Sequence, residues 1–369
     1  MRLDRLHLRH FRSYDQAEVD FSPGLTALVG ANGQGKTNVL EAIAYLAGFR
    51  SFRASSTEVM VREGEVSAQL RAEGVRWERA QAGDEGRQVL IEAEINRTGR
   101  NRVQLNRQVL QRPSQAVGVL RVTLFTPDDL ATVKDGPQRR RDLLDDLVVA
   151  LDPRMETTLR TVERVLRQRN ALLRQSGGRL DASAELTLEV WDAKLTPVAE
   201  LLMAKRAELV QELGPQVRCA YQQLCGEQVD AEVSYRPSAA PGQIAEALAR
   251  ARVEDLRRGS TTVGPHRDEL DLTLRGMPVR SHGSQGEQRG FALALKLAGH
   301  RLVTNRVGHP PLLLLDDVFS ELDPRRCDAL IAHLPAGQTV LTSADRLPRT
   351  AQADIVHQVL DGRVVRQGS

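Results

Sequence analysis

The chain has 369 residues, enough for two or three structural units with a substantial core. Its net charge of +3 permits nucleic-acid binding without requiring it, because local clustering of basic residues matters more than their total. Three cysteines are too few and too odd in number for a disulfide framework, which indicates a reducing compartment. The charged N-terminus argues against a signal peptide, and no apolar run is long enough to predict a membrane span. These features predict a cytosolic protein.

The first motif is a glycine loop of the form G-x-x-x-x-G-K-[S/T], which wraps nucleotide phosphates. The loop and the residue after it are Gly30, Ala31, Asn32, Gly33, Gln34, Gly35, Lys36, Thr37 and Asn38. The chain contains only five lysines, and arginine supplies the other 46 of its 51 basic residues. Lysine's compact ammonium can reach the β- and γ-phosphates inside a tight backbone ring that arginine's planar fork cannot enter. A lysine at this position therefore favours a nucleotide loop over a glycine-rich turn without a ligand.

The residues around this loop predict the strand and the helix that such a loop requires. Leu25 to Val29 form a short apolar run, and apolar residues recur at helical spacing after Thr37. A helix N-terminus behind a glycine loop brings backbone N–H groups and a positive dipole end to bound phosphates. In this arrangement Lys36 is a candidate catalytic residue, and the Thr37 hydroxyl is a candidate Mg²⁺ ligand.

The remaining chain alternates between strand and helix patterns. Up to about residue 125 short strands predominate, and they are predicted at 65–73, 88–96 and 102–106. A largely helical segment follows from about 137 to 225, with breaks expected near Ser176-Gly177-Gly178 and near Gly214-Pro215. Further on, we predict a strand at 229–235, a helix at 243–258, and strands and one apolar helix beyond Gly264.

A second nucleotide-binding element is predicted at residues 312 to 317. Four consecutive leucines form a buried-strand run that ends in Asp316 and Asp317. In P-loop ATPases such a strand lies beside the glycine-loop strand, and its first Asp holds Mg²⁺. Asp317 stands where a general base would polarise the attacking water, a position at which many related ATPases have Glu. The shorter side chain predicts slow turnover, with a kcat not well above about 10 s⁻¹.

A third motif, an S-x-G-[E/Q]-x loop before an apolar helix, lies between these two elements. Its candidate residues are Ser284, Gly286, Glu287 and Gln288. ABC-type ATPases use such a loop to contact the γ-phosphate bound on a second subunit, but Ser followed three residues later by Glu is also an ordinary capping box. Its place 32 residues before Asp316 favours the first interpretation. After the two carboxylates, a short loop matches the one that crosses the dimer interface of such ATPases, with Ser320 and Asp323 as its candidate residues.

On these motifs the chain resembles the RecF family of bacterial recombination-mediator ATPases, which is related to the ATPase heads of SMC proteins. The resemblance covers nearly the whole chain. It is carried by H-F-R-S-Y at 10–14 (close to the family's N-F-R-S-Y), the glycine loop and helix at 30–43, F-T-P-D-D-L at 125–130, R-R-R-D at 139–142, V-L-R-Q-R-N-A-L-L at 165–173, G-P-H-R-D at 264–268 and S-Q-G-E-Q-R at 284–289. The Q-R-N-A-L-L and G-P-H-R-D segments are far more specific than the ATP motifs.

The resemblance implies an α/β fold: an ABC-type P-loop ATPase head, with a mixed sheet around a central helix and an antiparallel β subdomain. A helical second lobe would end in a short antiparallel arm, whose helices are expected to reach at most about 50 Å. The expected segments are 1–125 for the N-terminal half of the head, 126–260 for the helical lobe and 261–369 for the C-terminal half.

The resemblance also implies ligands and partners. ATP and Mg²⁺ are the expected cofactors, and Arg12 is expected to reach the nucleotide, as the matching arginine does in related heads. ATP would close a homodimer around double-stranded DNA or single-strand/double-strand junctions, and slow DNA-stimulated hydrolysis would release it. Recombinase loading, replication restart, SOS induction and partnership with RecR follow from the same resemblance. We expect a cytoplasmic, nucleoid-associated protein with no membrane partner.

Two departures from the general ABC pattern bear on hydrolysis. No Gln stands at 125–130, where ABC proteins place one against Mg²⁺ and water, and the segment 342–345 has no His at the usual switch position. Both departures favour a nucleotide-gated clamp over a fast motor.

Arginines in the helical segment are the candidate DNA contacts, although a charged helix face is more often merely solvated. Three of them follow helical spacing beside an apolar stripe, and three stand together before it: Arg160, Arg164, Arg167, Arg139, Arg140 and Arg141. Such contacts would read the phosphate backbone and weaken with salt. For His266-Arg267-Asp268, a structural turn and a role beside nucleotide or DNA both remain open.

Three other function classes stay under consideration. A transporter ATPase subunit, or a subunit of another SMC-like complex, would share the ATP motifs, but the helical insert and the missing Gln and His disfavour a transporter. A metabolic P-loop kinase would have no use for the Ser284 loop and would stay monomeric with ATP. In a structural DNA binder with vestigial hydrolysis, DNA dissociation would not differ between ATP and a non-hydrolysable analogue.

Overall fold

The computed structural model describes residues 1–54, 56–77, 86–179, 181–226, 228–344, 347 and 350–367. The strands are β1 (Arg2–Phe11), β2 (Tyr14–Asp20), β3 (Leu25–Val29), β4 (Ser67–Arg76), β5 (Arg87–Asn96), β6 (Arg102–Leu105), β7 (Gln108–Val109), β8 (Val122–Phe125), β9 (Ala231–Arg236), β10 (Glu269–Leu274), β11 (Met277–Pro278), β12 (Leu312–Leu315), β13 (Thr339–Ser343), β14 (Ile355–Leu360) and β15 (Arg363–Arg366). The α-helices are α1 (Lys36–Gly48), α2 (Ala131–Lys134), α3 (Pro137–Leu151), α4 (Met155–Gln175), α5 (Ala182–Cys225), α6 (Ile244–Arg258), α7 (Val279–His282), α8 (Gln285–Val307) and α9 (Pro324–Ala332). Within these residues, no helix is long and apolar enough to cross a membrane.

The chain divides into two compact units. The first comprises Met1–Asp129, Ala220–Glu227 and Ala292–Ser369, and the second comprises Leu130–Cys219 and Gln228–Phe291. This division differs from the expected boundary at residue 260. Residues 261–291 belong to the second unit, in which β10 pairs antiparallel with β9 along its whole length. The Ser284 loop therefore lies in the second unit and not in the C-terminal part of the head.

The first unit is built from two sheets around α1. One sheet has the order β2-β1-β4-β5-β6-β7 and is antiparallel, and the other has the order β15-β14-β3-β13-β12-β8 and is mostly parallel. Helix α1 is buried along most of its length, and its side chains Val39, Leu40, Ile43 and Leu46 are fully buried in a core that both sheets share. The expected mixed sheet around a central helix, with an antiparallel β subdomain, is confirmed.

The order of the parallel strands differs from the expectation in one respect. Strand β12, which precedes Asp316, is not a neighbour of β3, because β13 hydrogen-bonds to both and lies between them. All three strands are parallel, so their carboxyl ends still meet at one edge of the sheet. The glycine loop after β3 and the carboxylates after β12 are therefore brought to the same edge.

The helical segment 137–225 contains two breaks, but only one of them is at a predicted position, and the other separates α3 from α4 at residues 152–154. The break near Ser176 is confirmed, since α4 ends at Gln175 and α5 begins at Ala182. The break near Gly214-Pro215 is wrong, because α5 continues for 44 residues through both Pro197 and Pro215. Leu213 and Val217, on either side of the second proline, are fully buried, so tertiary packing offsets the lost backbone hydrogen bond. At 1.5 Å per residue the helix spans about 66 Å, longer than the expected limit.

Buried ion pairs hold the second unit together and connect its two family-specific segments. The Arg169 guanidinium is fully buried and donates to Asp192 at 2.6 Å, to Asp255 at 2.6 Å and to the Thr261 hydroxyl at 2.9 Å. The backbone carbonyl of Thr261 in turn accepts from Arg267 at 2.8 Å. The Q-R-N segment of α4 and the G-P-H-R-D segment therefore meet at Thr261.

We expect Arg169→Leu to lower the free energy of unfolding by about 3–5 kcal/mol, because it leaves the Asp255 carboxylate buried without its partner. Arg167→Leu is the matched control on the same helix, since Arg167 is exposed and its contact with Glu163 is 3.5 Å long. The control should change stability by less than about 1 kcal/mol. Urea unfolding followed by circular dichroism measures both. Equal losses would show that the buried network does not stabilise the unit.

Candidate nucleotide-binding site

Two glycines of the loop are required by crowding, and for one of them, Gly35, the backbone conformation adds to the requirement. A Cβ at Gly30 would lie 2.3 Å from the carbonyl oxygen of Val359. Gly35 has φ +111°, and a Cβ there would lie 2.8 Å from Ser13 Oγ and 2.9 Å from Tyr14 Oη. Gly33 has φ +81° but has open space around its Cα. The loop is thus confined by β14 at Gly30 and by the β1–β2 turn at Gly35, whereas Gly33 between them faces free space.

Side chains at the β1–β2 turn form hydrogen bonds to the glycine loop and to the start of α1. This support was not predicted from the sequence. The Tyr14 hydroxyl donates to the carbonyl oxygen of Gly35 at 3.0 Å, and Asn38 Nδ2 donates to Ser13 Oγ at 3.0 Å. Tyr14 is fully buried, and burial raises the pKa of its phenol, which remains a neutral donor. The H-F-R-S-Y segment was the sequence signal that could have pointed to this support.

Lys36 lies inside the loop. Its Nζ donates to the carbonyl oxygens of Gly30 at 2.6 Å and Ala31 at 2.9 Å. Burial lowers the pKa of the Lys36 ammonium, while the nearby Asp317 and Asp316 raise it. The ammonium is therefore held where bound phosphates would compete with two neutral carbonyls for it.

The candidate Mg²⁺ ligands, Thr37 and Asp316, are in direct contact although 279 residues separate them in sequence. Thr37 Oγ1 donates to Asp316 Oδ1 at 2.8 Å, and the hydroxyl of Thr342 donates to the same oxygen at 2.8 Å. Two Mg²⁺ ligands at right angles stand about 2.9 Å apart when the metal–oxygen distance is about 2.0–2.1 Å. The two oxygens thus fit adjacent positions of one octahedral ion. Burial raises the pKa of Asp316, and the two hydroxyl donors partly offset this.

Asp317 adopts a left-handed backbone conformation that is uncommon for a residue with a side chain. Its φ is +47°, its N–H donates to Thr342 Oγ1 at 2.9 Å, and its carbonyl accepts from Ser320 Oγ at 2.7 Å. Such strained residues cluster at functional sites. Thr342, which the sequence analysis did not select, binds both carboxylate-bearing residues and so fixes their geometry. Of the segment 342–345, which has no switch His, Asp345 lies outside the described residues.

Arg12 makes a bidentate ion pair with a carboxylate on α1. Its guanidinium donates to Glu41 at 2.9 and 2.7 Å, and the Glu41 side chain is fully buried. The Ser51 hydroxyl donates to the same carboxylate. In this structure Arg12 therefore anchors the β1–β2 turn to the helix behind the loop. Of the other loop residues, Ala31 and Asn32 are exposed, and Gln34 accepts from the backbone N–H of Asp361 at 2.6 Å.

The Ser284 loop forms the capping box that the sequence allowed. Ser284 Oγ accepts from the N–H of Glu287 at 3.2 Å, and Glu287 accepts from the N–H of Ser284 at 2.8 Å. An ion pair with Arg275 at 2.6 Å, together with these hydrogen bonds, lowers the pKa of Glu287 to about 2. Ser284 remains exposed at the start of α8, and Gly286 is half-buried.

Gln288 requires a correction. Its side chain is buried, and Nε2 donates to the carbonyl oxygens of Val279, Arg280 and Gly283 at 3.1–3.2 Å. This amide thus stabilises the preceding turn and is not available to a second subunit. The physical reason is that a polar group one turn into a buried helix has to satisfy its donors locally.

The short loop after the carboxylates is organised by local hydrogen bonds. Asp323 is the N-cap of α9, accepting from the N–H of Arg326 at 3.0 Å and pairing with its guanidinium at 2.9 Å. Ser320 Oγ donates to the carbonyl oxygen of Asp317 and so stabilises the turn that begins there.

In the F-T-P-D-D-L segment, Asp129 forms an ion pair with Lys296 at 2.8 Å.

The candidate DNA contacts fall into two groups. Arg140 is buried, binds Glu269 through two nitrogens at 2.7 and 3.0 Å, and so cannot be a surface contact, which corrects the prediction. Arg141 is half-buried and donates to the carbonyl of Asp268 at 2.9 Å. The others are exposed, namely Arg139, Arg160, Arg164 and Arg167.

Two interpretations of His266-Arg267-Asp268 were open, a structural turn and a role beside nucleotide or DNA. The contacts of these side chains favour the structural turn. Asp268 is fully buried and accepts from the Tyr235 hydroxyl and from the N–H of Ser238. His266 lies 2.9 Å from the carbonyl of Thr261, and burial lowers the pKa of its imidazole to about 4. Both side chains therefore form their hydrogen-bond contacts within the second unit.

We expect Gly35→Ala to destabilise the protein by about 2–4 kcal/mol, because the left-handed φ and a clash with the β1–β2 turn act together. Gly33→Ala, the control, meets only the backbone strain and should cost about 1–2 kcal/mol. Urea unfolding of both variants and the wild type checks the order. A loss at Gly33 equal to that at Gly35 would contradict the crowding argument.

Comparisons with known proteins identify the family of this chain. A sequence model described as "RecF/RecN/SMC N terminal domain" matches residues 2–351. A relative from Streptomyces avermitilis, named DNA replication and repair protein RecF, is 42% identical over 361 residues and covers 93% of each chain. Another of that name, from Beutenbergia cavernae, is 39% identical over 397 residues and covers 98% of this chain and 96% of its own.

Solved structures extend the similarity to three dimensions. One described as the recombination mediator protein RecF with ATP, in the RecFOR pathway, has a TM-score of 0.89 at 27% identity and covers 100% of this chain and 98% of its own. An SMC head domain from Pyrococcus furiosus shares the fold, with a TM-score of 0.60 at 19% identity. That similarity covers 99% of this chain and 96% of the SMC chain. The chain therefore belongs to the RecF family and has the fold of an SMC-like, ABC-type ATPase head.

Proposed function

We propose that this protein is an ATP-dependent DNA-binding protein of recombinational repair. ATP would close a homodimer on duplex or gapped DNA, and slow hydrolysis would release it. The observation that carries the proposal is the contact between Thr37 and Asp316, which forms a two-oxygen site beside a phosphate loop. The names of the relatives, DNA replication and repair protein RecF, and the solved relative described with ATP support it.

The loop residues would bind the triphosphate through their backbone. Residues Gly30 to Thr37 would offer N–H groups, and Lys36 would exchange the carbonyls of Gly30 and Ala31 for phosphate oxygens. Thr37 and Asp316 would hold Mg²⁺, which when bound neutralises phosphate charge. Asp317, aimed by its left-handed backbone, would accept a hydrogen bond from the attacking water.

Three features support slow turnover. Asp317 is shorter than the Glu of many related ATPases and would reach the water less well. Residues 125–130 contain no Gln, and the carboxylate of Asp129 is already paired with Lys296. Hydrolysis in this chain would therefore serve as a timed release and not as a motor stroke.

A second copy would complete the site. Ser284 is exposed at the N-terminus of the 23-residue helix α8, where the helix dipole favours an anion. In the proposed dimer its hydroxyl and the adjacent N–H groups would contact the γ-phosphate held by the partner's loop, while Ser320 and Asp323 would lie at the interface. Arg12 would join the nucleotide contacts only if it released part of its bidentate pair with Glu41.

Exposed arginines of α4 would bind the DNA backbone. Arg160, Arg164 and Arg167 span about 10 Å along one side of the helix, and each is exposed. Loading of recombinase at gaps or junctions, partnership with RecR and a part in SOS induction belong to the same proposal by family relationship, as does a place in the cytoplasm at the nucleoid.

We expect ATP to convert the wild type from monomer to dimer in analytical ultracentrifugation, with duplex DNA strengthening the shift. Lys36→Met should abolish the shift because the triphosphate loses its main cation. Lys205→Met, at an exposed lysine paired with Glu208, is the control and should dimerise normally. A Lys36→Met variant that still dimerised with ATP would overturn the nucleotide-switch proposal.

Replacing Arg160, Arg164 and Arg167 together by Gln should weaken binding to duplex DNA and reduce the salt slope of log K by roughly two to three, since each phosphate contact contributes about 0.9. Fluorescence anisotropy at several salt concentrations measures both quantities. The control is an equal change of charge at three exposed arginines of α6, namely Arg250, Arg257 and Arg258. Unchanged affinity in the α4 variant, or equal losses in both, would show that α4 is not the DNA-binding face.

A further inference from the structure

Three potential metal ligands converge beside the turn that supports the glycine loop. His10 Nδ1 lies 3.4 Å from a carboxylate oxygen of Asp15 and 3.3 Å from one of Glu65. The three ligand atoms all lie within 4.8 Å of one another. The Nδ1 atom is buried and has no hydrogen-bond partner among the described residues. A buried ring nitrogen therefore faces two carboxylates without a hydrogen bond to either.

Backbone contacts hold two of the three residues, His10 and Glu65, in place independently of their side chains. His10 is the penultimate residue of β1 and has φ +50°, and its carbonyl accepts from the N–H of Arg62 at 2.8 Å. Glu65 donates its N–H to the carbonyl of Arg62 at 3.1 Å, and its own carbonyl accepts from Arg97 at 2.9 Å. These two positions are thus preorganised, which reduces the entropy lost when an ion binds.

We propose that His10, Asp15 and Glu65 form a binding site for a divalent transition-metal ion of the Zn²⁺ class. Tetrahedral ligands at about 2.0–2.1 Å from zinc stand about 3.3–3.4 Å apart, which is the separation of the imidazole nitrogen from both carboxylates. An imidazole ligand selects such ions over Mg²⁺ and Ca²⁺, which prefer all-oxygen sites. Asp15 is largely exposed, so a water molecule has access to the fourth position.

The simpler interpretation is a histidine that stands beside two carboxylates and binds no ion. The geometry favours a metal site, because both carboxylate oxygens face the same ring nitrogen, at 3.4 and 3.3 Å, and neither forms a hydrogen bond with it. The other ring nitrogen, Nε2, contacts Arg9 Nε at 3.1 Å.

His7 provides an internal comparison on the same strand. It also stands between two carboxylates, but Nδ1 faces Glu18 at 3.6 Å while Nε2 faces Glu73 at 3.7 Å. Ligands on opposite nitrogens cannot share one ion. His7 is therefore a histidine with two acidic neighbours and no chelating geometry.

The site would tie the β1–β2 turn to the segment that contains Glu65. The same turn carries Ser13 and Tyr14, which contact Asn38 and Gly35 of the glycine-loop region. An ion bound at His10 would therefore restrict the motion of the turn that carries Ser13 and Tyr14.

The test uses the untagged full-length protein, stripped with EDTA and free of nucleotide. Co²⁺ is titrated with visible absorption as the readout, and Zn²⁺ by calorimetry. We expect one site in the wild type, an affinity lower by at least about tenfold in His10→Asn and Glu65→Gln, and no change in His7→Asn. Zn²⁺ should also raise the Tm of the wild type but not that of His10→Asn.

A further variant separates this site from the proposed nucleotide site. Asp316→Asn removes a candidate Mg²⁺ ligand and should retain the Co²⁺ spectrum. Loss of the spectrum in Asp316→Asn, equal binding by His10→Asn and the wild type, or no Co²⁺ or Zn²⁺ binding by the wild type would each overturn the proposal. Circular dichroism of every variant checks that the fold is kept.

Discussion

The hydrogen bond between the Thr37 hydroxyl and the Asp316 carboxylate is the contact on which the site depends. It joins the start of α1 to the end of β12, 279 residues apart, at 2.8 Å. Parallel pairing of β3, β13 and β12 brings both chain segments to one sheet edge, and burial of α1 between two sheets fixes the direction of its N-terminus. Without this frame, the glycine loop and the carboxylates would be two unrelated motifs.

In the second unit, buried arginines join segments that are distant in sequence. Arg169 and Arg140 each bind carboxylates through more than one nitrogen, which a planar guanidinium permits and a lysine ammonium does not. The most family-specific segments therefore encode an internal network and not a ligand surface. This explains why a strong sequence signal at Q-R-N-A-L-L and G-P-H-R-D need not mark a binding residue. Removal of one partner would leave a buried charge, so such segments tolerate little change.

The β1–β2 turn connects several features of the first unit. Tyr14 and Ser13 crowd Gly35, Arg12 binds Glu41 on α1, and His10 faces two carboxylates. A short turn thus supports the phosphate loop, the helix behind it and the proposed metal ligands. Changes at the turn would reach the nucleotide site through packing and hydrogen bonds, without direct contact to the ligand.

Local sequence determined the glycine loop, strand β3, the carboxylates after β12, the break after α4 and the limits of α6, because these follow from periodicity, glycine and residue chemistry over a few positions. Tertiary structure decided the rest. Pro215 stays within α5 because its neighbours Leu213 and Val217 are buried, and Arg140 is internal because Glu269, far along the chain, pairs with it. Thr342 joins the site only because β13 lies between β3 and β12. Each of these outcomes depends on partners distant in sequence, which no local pattern can specify.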